Sequence, residues 1–250
     1  MIVDGKTVIV TGGASGIGKA IAMLAAQNGA RVFVGDVNEQ GGLQVQAEAK
    51  AAGLRVEFTR LDLADPSSIS NFASTVQEAA GGSVDALVNA AGWEIVQPFL
   101  QNPPDLWERI ININLLGVIR LTHAVVTKMS EKSSGVVVNI ASDAGRVGSM
   151  GEVVYSSAKG GIIAFTKALA REMARYKVRV NCVCPGPTDT PMFHAQQNER
   201  IKEALIKAVP FRRLGRPEEI ADAVMFFLSP QSDFVTGQVL SVSGGLTMVD

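Results

Sequence analysis

The stretch Thr7–Gly18 constrains the fold more than any other: an apolar run, Val8-Ile9-Val10, passes into Thr11-Gly12-Gly13-Ala14-Ser15-Gly16-Ile17-Gly18 and then into a helical pattern. A strand that ends in a glycine turn and opens a helix can bend tightly, because glycine adopts conformations that a Cβ forbids. It also aims the free N–H groups of the first helical turn at whatever lies beyond the strand. The spacing G-x-x-x-G-x-G suits a pyrophosphate lying against the backbone, although it departs from the more familiar G-x-G-x-x-G. Arg31-Val-Phe-Val-Gly-Asp36 reads as a second strand ending in a carboxylate, about 20 residues beyond the glycines, where a ribose hydroxyl would be bound. The two features together predict dinucleotide binding, with Gly12, Ser15, Gly16, Ile17, Gly18 and Asp36 as candidate cofactor residues.

The chain of 250 residues is long enough to bury a sizeable core, and residues 1–250 read as one domain. With 23 basic and 24 acidic residues and no long basic block, it offers no electrostatic footprint for nucleic acid or an anionic membrane surface. The N-terminus lacks the pattern of a signal peptide, and no apolar run approaches the roughly 18 residues of a membrane span, so a cytoplasmic location without membrane is expected. Cys182 and Cys184 lie two apart in a strand pattern and should face one side as small buried hydrophobes. His123 and His194 have no second ligand at metal spacing, so no metal is expected in the site.

Along the chain, strand and helix patterns alternate. After the Asp36 strand come a helix over 41–52, a short strand at Val56–Phe58 and then Asp62-Leu63, where the carboxylate is a candidate adenine acceptor or a helix cap. Ala86-Leu-Val-Asn89 leads into a second small-residue turn, Ala90-Ala91-Gly92, followed by Trp93, a candidate pocket wall. From about Asp105 to Ser130 one long helix is predicted, with Trp107 in the core or an interface. Asn112 and Asn114 interrupt it, so at least one amide should have polar work. A buried strand ends at Ser142, and Asp143–Gly151 reads as a mobile glycine-rich loop. A helix from Tyr155 to about Tyr176 and a strand over 178–184 follow. Residues from about 188 to 212, with a helical insert over 192–208, form a candidate lid. A helix over 217–228 and a strand over 237–242 close the chain.

Tyr155 and Lys159 stand one helical turn apart. A phenol is a poor base at neutral pH, but a neighbouring cation stabilises phenolate, so this pair could remove a hydroxyl proton while Ser142 binds the same oxygen. Singly, each residue has an ordinary structural explanation; together, after a nucleotide loop and at one sheet edge, they point to a secondary alcohol and ketone exchanging hydride with a nicotinamide.

These residues, with Asn89-Ala-Ala-Gly92, Tyr155-Ser-Ser-Ala-Lys159 and Pro185-Gly186, resemble the short-chain dehydrogenase/reductase family over nearly the whole chain. The resemblance implies an α/β Rossmann-type, doubly wound, seven-stranded parallel sheet assembled as a homotetramer, and a catalytic set of Asn114, Ser142, Tyr155 and Lys159. It implies cofactor contacts from Asp62, Leu63, Asn89, Ala90, Gly92, Tyr155, Lys159, Pro185, Gly186 and Thr188, with Asn112 facing elsewhere. Ala90 departs from the usual Asn-Asn-Ala-Gly. Asp36 would repel the extra phosphate of NADP, and neither Ser15 nor Val37 supplies a cation, so NAD is the expected cofactor.

Several runs, among them Asn139–Tyr155 and Thr236–Met248, resemble the subgroup acting on 2-hydroxycyclohexanecarboxyl-CoA in aromatic-compound breakdown. That implies a small-molecule CoA thioester as substrate. Trp93, Ala144, Val147, Met150, Val153 and Met192 would form its pocket, and Arg146, Arg212, Arg213 and Arg216 would hold its phosphates. The alternatives are a cyclic or aromatic alcohol dehydrogenase without CoA, a 3-oxoacyl-[acyl carrier protein] reductase, and a catalytically silent nucleotide-binding subunit.

Overall fold

The computed structural model describes residues 2–195 and 199–249. Its strands are β1 (Thr7–Thr11), β2 (Arg31–Asp36), β3 (Arg55–Arg60), β4 (Ala86–Asn89), β5 (Gly135–Ile140), β6 (Val178–Pro185) and β7 (Val239–Val242). They form one sheet in the order β3-β2-β1-β4-β5-β6-β7, every pairing parallel. The helices are α1 (Gly16–Gln27), α2 (Glu39–Ala51), α3 (Pro66–Ala79), α4 (Pro104–Ile111), α5 (Gly117–Lys132), α6 (Ala144–Val147), α7 (Val153–Met173), α8 (Pro191–His194), α9 (Glu199–Ala208) and α10 (Pro217–Leu228).

Strand alternation sends successive side chains to opposite faces and so builds two cores. Val8 and Val10 of β1 pack with Ile21 and Ala25 of α1, Val45 of α2 and Ile220 of α10. Ile9, between them, packs with Phe72 of α3, Leu121 and Val125 of α5 and Ile162 of α7. Cys182 and Cys184 both lie in this second core as free thiols. The chain winds outward from β1 to β3 and returns to β4, so the strand order reverses between β1 and β4, where loops diverge and a crevice opens. Thr11 is in register with Asn89, which brings the two small-residue turns out side by side. Thr11 Oγ1 accepts the N–H groups of Ala90 and Ala91, each at 3.1 Å.

Several boundaries differ from the sequence expectations. The second helix starts at Glu39 because the Asn38 side chain caps the Gly41 N–H at 3.0 Å. Asp65, not Asp62, caps α3, accepting from Ser67 N–H at 2.8 Å. The loop expected after Ser142 contains the helical turn α6. The long helix is continuous over Pro104–Lys132, but residues Asn112–Leu116 form a π-turn between α4 and α5. That run spans 29 residues and contains an 18-residue window of mean hydropathy 1.5, so by length and composition it could cross a bilayer, which the sequence reading did not anticipate. Here Leu121, Val125 and Met129 are fully buried against the sheet.

A polar ladder crosses this apolar interior. Asn89 Nδ2 donates to Thr122 Oγ1 at 2.9 Å and to Asn139 Oδ1 at 2.8 Å, and Asn139 Nδ2 donates to Thr166 Oγ1 at 2.9 Å. It ties β4 and β5 to α5 and α7, and Thr122, Asn139 and Thr166 are all inaccessible to solvent. Asn139→Ala leaves buried partners unsatisfied and should destabilise the protein by about 2–3 kcal/mol, whereas Thr166→Val should cost about 1 kcal/mol. Urea unfolding of both variants at one protein concentration measures the difference.

Candidate active site

At the C-terminal edge of the sheet the diverging loops enclose a cleft of about 1250 Å³. The glycine turn forms its floor. A Cβ on Gly18 would lie 2.1 Å from the Gly12 carbonyl oxygen, and one on Gly12 would lie 2.7 Å from Ala91 Cα, so both close approaches require glycine. Ser15 precedes α1 in an extended conformation and makes no side-chain cap, which leaves its hydroxyl and the helix N–H groups facing a cleft that Ser15, Gly16, Ile17 and Gly18 line. Asp36 is fixed by two backbone donors, Ala14 N–H at 3.0 Å and Asn38 N–H at 2.9 Å, one on each oxygen. Asp62, Leu63, Ala90 and Gly92 line the same end. Across the cleft, Pro185, Gly186 and Thr188 contribute, and the Thr188 hydroxyl donates to the Gly186 carbonyl at 2.8 Å.

Ser142, Tyr155 and Lys159 all line this cleft, with Ser142 and Lys159 close to Tyr155. Ser142 Oγ accepts the Ala144 N–H at 3.1 Å. Lys159 is 3% exposed, and its Nζ donates to the Ile140 carbonyl at 3.0 Å while lying 5.6 Å from the centroid of the Tyr155 ring. Burial pushes the Lys159 ammonium down to about 8. The Tyr155 phenol is held well above its ordinary value, first by burial and then by the Glu94 and Glu152 carboxylates, against the opposing Ser142 hydroxyl. The sequence argument predicts a phenolate favoured by Lys159; in this structure desolvation wins and the phenol keeps its proton.

The π-turn places its two asparagines differently, and Asn112, expected to face elsewhere, is the one in the cleft lining. Asn112 lines the cleft, whereas Asn114 is fully buried behind it. Asn114 Oδ1 accepts the Trp93 N–H at 3.2 Å, and its Nδ2 donates to the Trp93 carbonyl at 2.7 Å and the Ile110 carbonyl at 2.9 Å. Asn114 Oδ1 and Lys159 Nζ nonetheless approach one point, lying 3.1 and 3.5 Å from where a Cβ on Gly92 would stand.

Other expectations need correction. Asn89 does not line the cleft: it is 2% exposed and its amide is committed to the buried ladder. Trp93, Ala144, Val147, Met150 and Met192 line the cleft, but Val153 does not; it opens α7 on the solvent side, away from Tyr155. The four arginines are all engaged elsewhere. Arg146 donates to the Val239 carbonyl at 3.2 Å, Ser241 Oγ at 3.1 Å and the Val249 carbonyl at 2.8 Å. Arg213 and Arg216 pair with Glu219 at 2.6 and 3.4 Å, and Arg212 donates to the Lys207 carbonyl. None of the four lines the cleft, so they give no support to a phosphate site. Sequence reasoning passed over two acids that do line it, Glu94 and Glu152. A carboxylate directly after a tight turn, and another just ahead of the Tyr155 helix, were the available signals. Among the described residues no group of three or more His, Cys, Asp or Glu side chains could hold a metal ion; His194 pairs with Asp189 at 2.6 Å.

A parallel sheet with a glycine turn at its switch point and a serine, tyrosine and lysine in the adjoining cleft defines a nucleotide-dependent oxidoreductase. The family described as enoyl-(acyl carrier protein) reductase matches residues 12–247. A 3-oxoacyl-[acyl-carrier-protein] reductase FabG of Thermotoga maritima is 36% identical over 99% of this chain and 100% of its own length. The enzyme of the same name from Vibrio cholerae is 39% identical, with 100% of both chains covered. A variant of actinorhodin polyketide ketoreductase with NADPH superposes with a TM-score of 0.91 at 35% identity, covering 96% of this chain and 97% of its own. The chain belongs to the short-chain dehydrogenase/reductase family and is an oxidoreductase with its Rossmann-like fold.

The depressed Lys159 pKa carries a stability signature. Unfolded, a lysine keeps its proton to about 10.5; folded, this one releases it near 8, so the unfolded state binds more protons between those values and stability rises with pH across that window. Lys159→Met should remove this rise and be the more stable protein below pH 8. Unfolding midpoints at pH 7, 8, 9 and 10 test it.

Proposed function

We propose that the protein is an NAD-dependent enzyme that interconverts the 3-oxoacyl and 3-hydroxyacyl forms of a thioester. The observation that supports it most is the meeting of Ser142, Tyr155 and Lys159 in the cleft into which the glycine turn opens. The glycine cradle fits a pyrophosphate, with Gly12, Ser15, Gly16, Ile17 and Gly18 around it, Asp36 placed for the ribose hydroxyls, Asp62 and Leu63 for the base, and Pro185, Gly186 and Thr188 beside the nicotinamide. A bound nicotinamide supplies or receives the hydride. In reduction, Ser142 holds the substrate oxygen by a hydrogen bond and Tyr155 gives that oxygen its proton, becoming a phenolate; in oxidation the phenolate of Tyr155 takes the hydroxyl proton back. The raised phenol pKa keeps Tyr155 protonated at neutral pH, so it has a proton to give, and the Lys159 ammonium offsets the phenolate left behind. Asn114 acts as a positioning residue through the Trp93 peptide.

The choice of NAD rests on charge. Asp36 and Asp62 line the adenosine end, and among the described lining residues there is no lysine or arginine beside them to receive a 2′-phosphate. The FabG relatives named above, 3-oxoacyl-[acyl-carrier-protein] reductases, favour a 3-oxoacyl thioester over a simple alcohol. The alicyclic thioester 2-hydroxycyclohexanecarboxyl-CoA is one member of that class, since its hydroxyl is on the carbon β to the thioester carbonyl. Of the segment 188–212, in which 196–198 lie outside the described residues, Met192, Phe193, Ile201, Ala204 and Leu205 line the cleft and cover the acyl group.

Tyr155→Phe keeps the ring but removes the acid, and kcat should fall about 1000-fold with NADH affinity retained by fluorescence titration. The double change Asp36→Ala with Val37→Arg should shift the NAD to NADP ratio of kcat/KM by about 100-fold toward NADP. Equal use of both cofactors by the unaltered enzyme would overturn the charge argument.

A further inference from the structure

Two carboxyl groups stand in the cleft wall where a reductase has no evident need of them. Glu94 follows directly on the Trp93 peptide that Asn114 grips from both sides, so its backbone is fixed. Glu152 precedes α7, one helical turn before Tyr155, and the loop carrying Glu94 is joined to it by the Gln97 N–H, which donates to the Gly151 carbonyl at 3.0 Å. The two carboxyl groups are close enough to raise the Glu94 pKa, and both raise that of the Tyr155 hydroxyl. Among the described residues neither forms an ion pair with a lysine or arginine. Glu94 Oε2 is buried and has no protein partner. A buried polar atom without a partner in the wall of a substrate cleft calls for a partner on the substrate.

We propose that Glu94 and Glu152 form the element that selects a neutral acyl thioester over a free 3-oxo acid, Glu94 hydrogen-bonding the thioester carbonyl and the pair's charge repelling a carboxylate. This rests on the reading that the substrate is a 3-oxoacyl thioester. In such a substrate the thioester carbonyl is separated from the reacting carbon by a single methylene, so it must lie close to Ser142 and Tyr155, beside this pair. Burial, then the charge of Glu152, raises the Glu94 carboxyl to about 8, so at neutral pH it carries a proton to donate. A free 3-oxo acid brings a carboxylate to the same place, where it meets the Glu152 charge in a poorly solvated wall. The other titratable and charged groups lining the cleft are Tyr155, Lys159, Asp105, Glu108 and Arg109 from α4, Asp143 after β5, and Asp36 and Asp62 at the adenosine end. Arg109 lies over the Trp93 ring, 4.0 Å from its centroid.

The test compares NADH-dependent reduction of the N-acetylcysteamine thioester of 3-oxobutanoate, which is neutral, with that of free 3-oxobutanoate. The unaltered enzyme should prefer the thioester by about 100-fold in kcat/KM at pH 7. Glu152→Gln should narrow that preference about 10-fold, mainly by admitting the free acid. Glu94→Ala should lower thioester kcat/KM about 10-fold through KM, which a purely structural role would not confine to one substrate. The KM for the thioester should rise above pH 8 in the unaltered enzyme and stay flat in Glu94→Gln, whose amide donates at every pH. NADH titration confirms that each variant is folded. If the enzyme prefers the thioester but all three variants keep the same preference and pH profile, the selection element is overturned while the substrate reading stands. If the unaltered enzyme reduces both compounds equally or neither, the substrate reading fails and takes this inference with it.

Discussion

The grip of Asn114 on the Trp93 peptide is the contact on which the cleft depends. An α-helix satisfies its own backbone, so a helix running behind the sheet edge would ordinarily offer the loop after β4 nothing to bind. The π-turn at Asn112–Leu116 changes this by carrying a buried amide that serves both the N–H and the carbonyl of Trp93. One side chain thereby sets the path of Gly92, Trp93 and Glu94, three residues with different tasks in one wall. Gly92 gives Asn114 Oδ1 close room that a Cβ would crowd, Trp93 gives an apolar surface, and Glu94 brings a carboxyl group.

Much of this was legible where periodicity within one element decides the outcome. The glycine turn, Asp36 at the end of β2, and the pairing of Tyr155 with Lys159 follow from local spacing, and the structure places them in one cleft. Two misplacements were legible as well. Asn89 shares a strand face with Leu87, which packs in the α5 core, so its side chain had to turn inward toward Asn139, its register partner. Val153, two residues before Tyr155 on a helix, stands about 200° around from it and faces out. The fates of Arg146 and Glu94 could not be read in advance. Each depends on a contact between segments far apart in the chain, Arg146 with β7 and the last residues, and Glu94 with the residue ahead of α7.

Burying Lys159 costs stability. An ammonium 3% exposed, with one carbonyl as its hydrogen-bond partner, is tolerated because the surrounding sheet is rigid and otherwise apolar. The amide and hydroxyl ladder of Asn89, Thr122, Asn139 and Thr166 stiffens the strands on either side of it. The scaffold thus holds a poorly solvated cation close to a phenol without letting either side chain relax toward water.

The attachment of Arg146 to the Val249 carbonyl also bears on how the molecule can be handled. Leu246 and Thr247 are part of the cleft wall, and Arg146 belongs to α6, the turn just after Ser142. Any affinity peptide, fluorescent reporter or surface-coupling handle grafted directly onto Val249 would therefore start beside the helical turn that borders the reacting groups. Such a fusion would pull on the site directly, whereas one placed before Ile2 would join the chain ahead of β1, at the opposite edge of the parallel sheet.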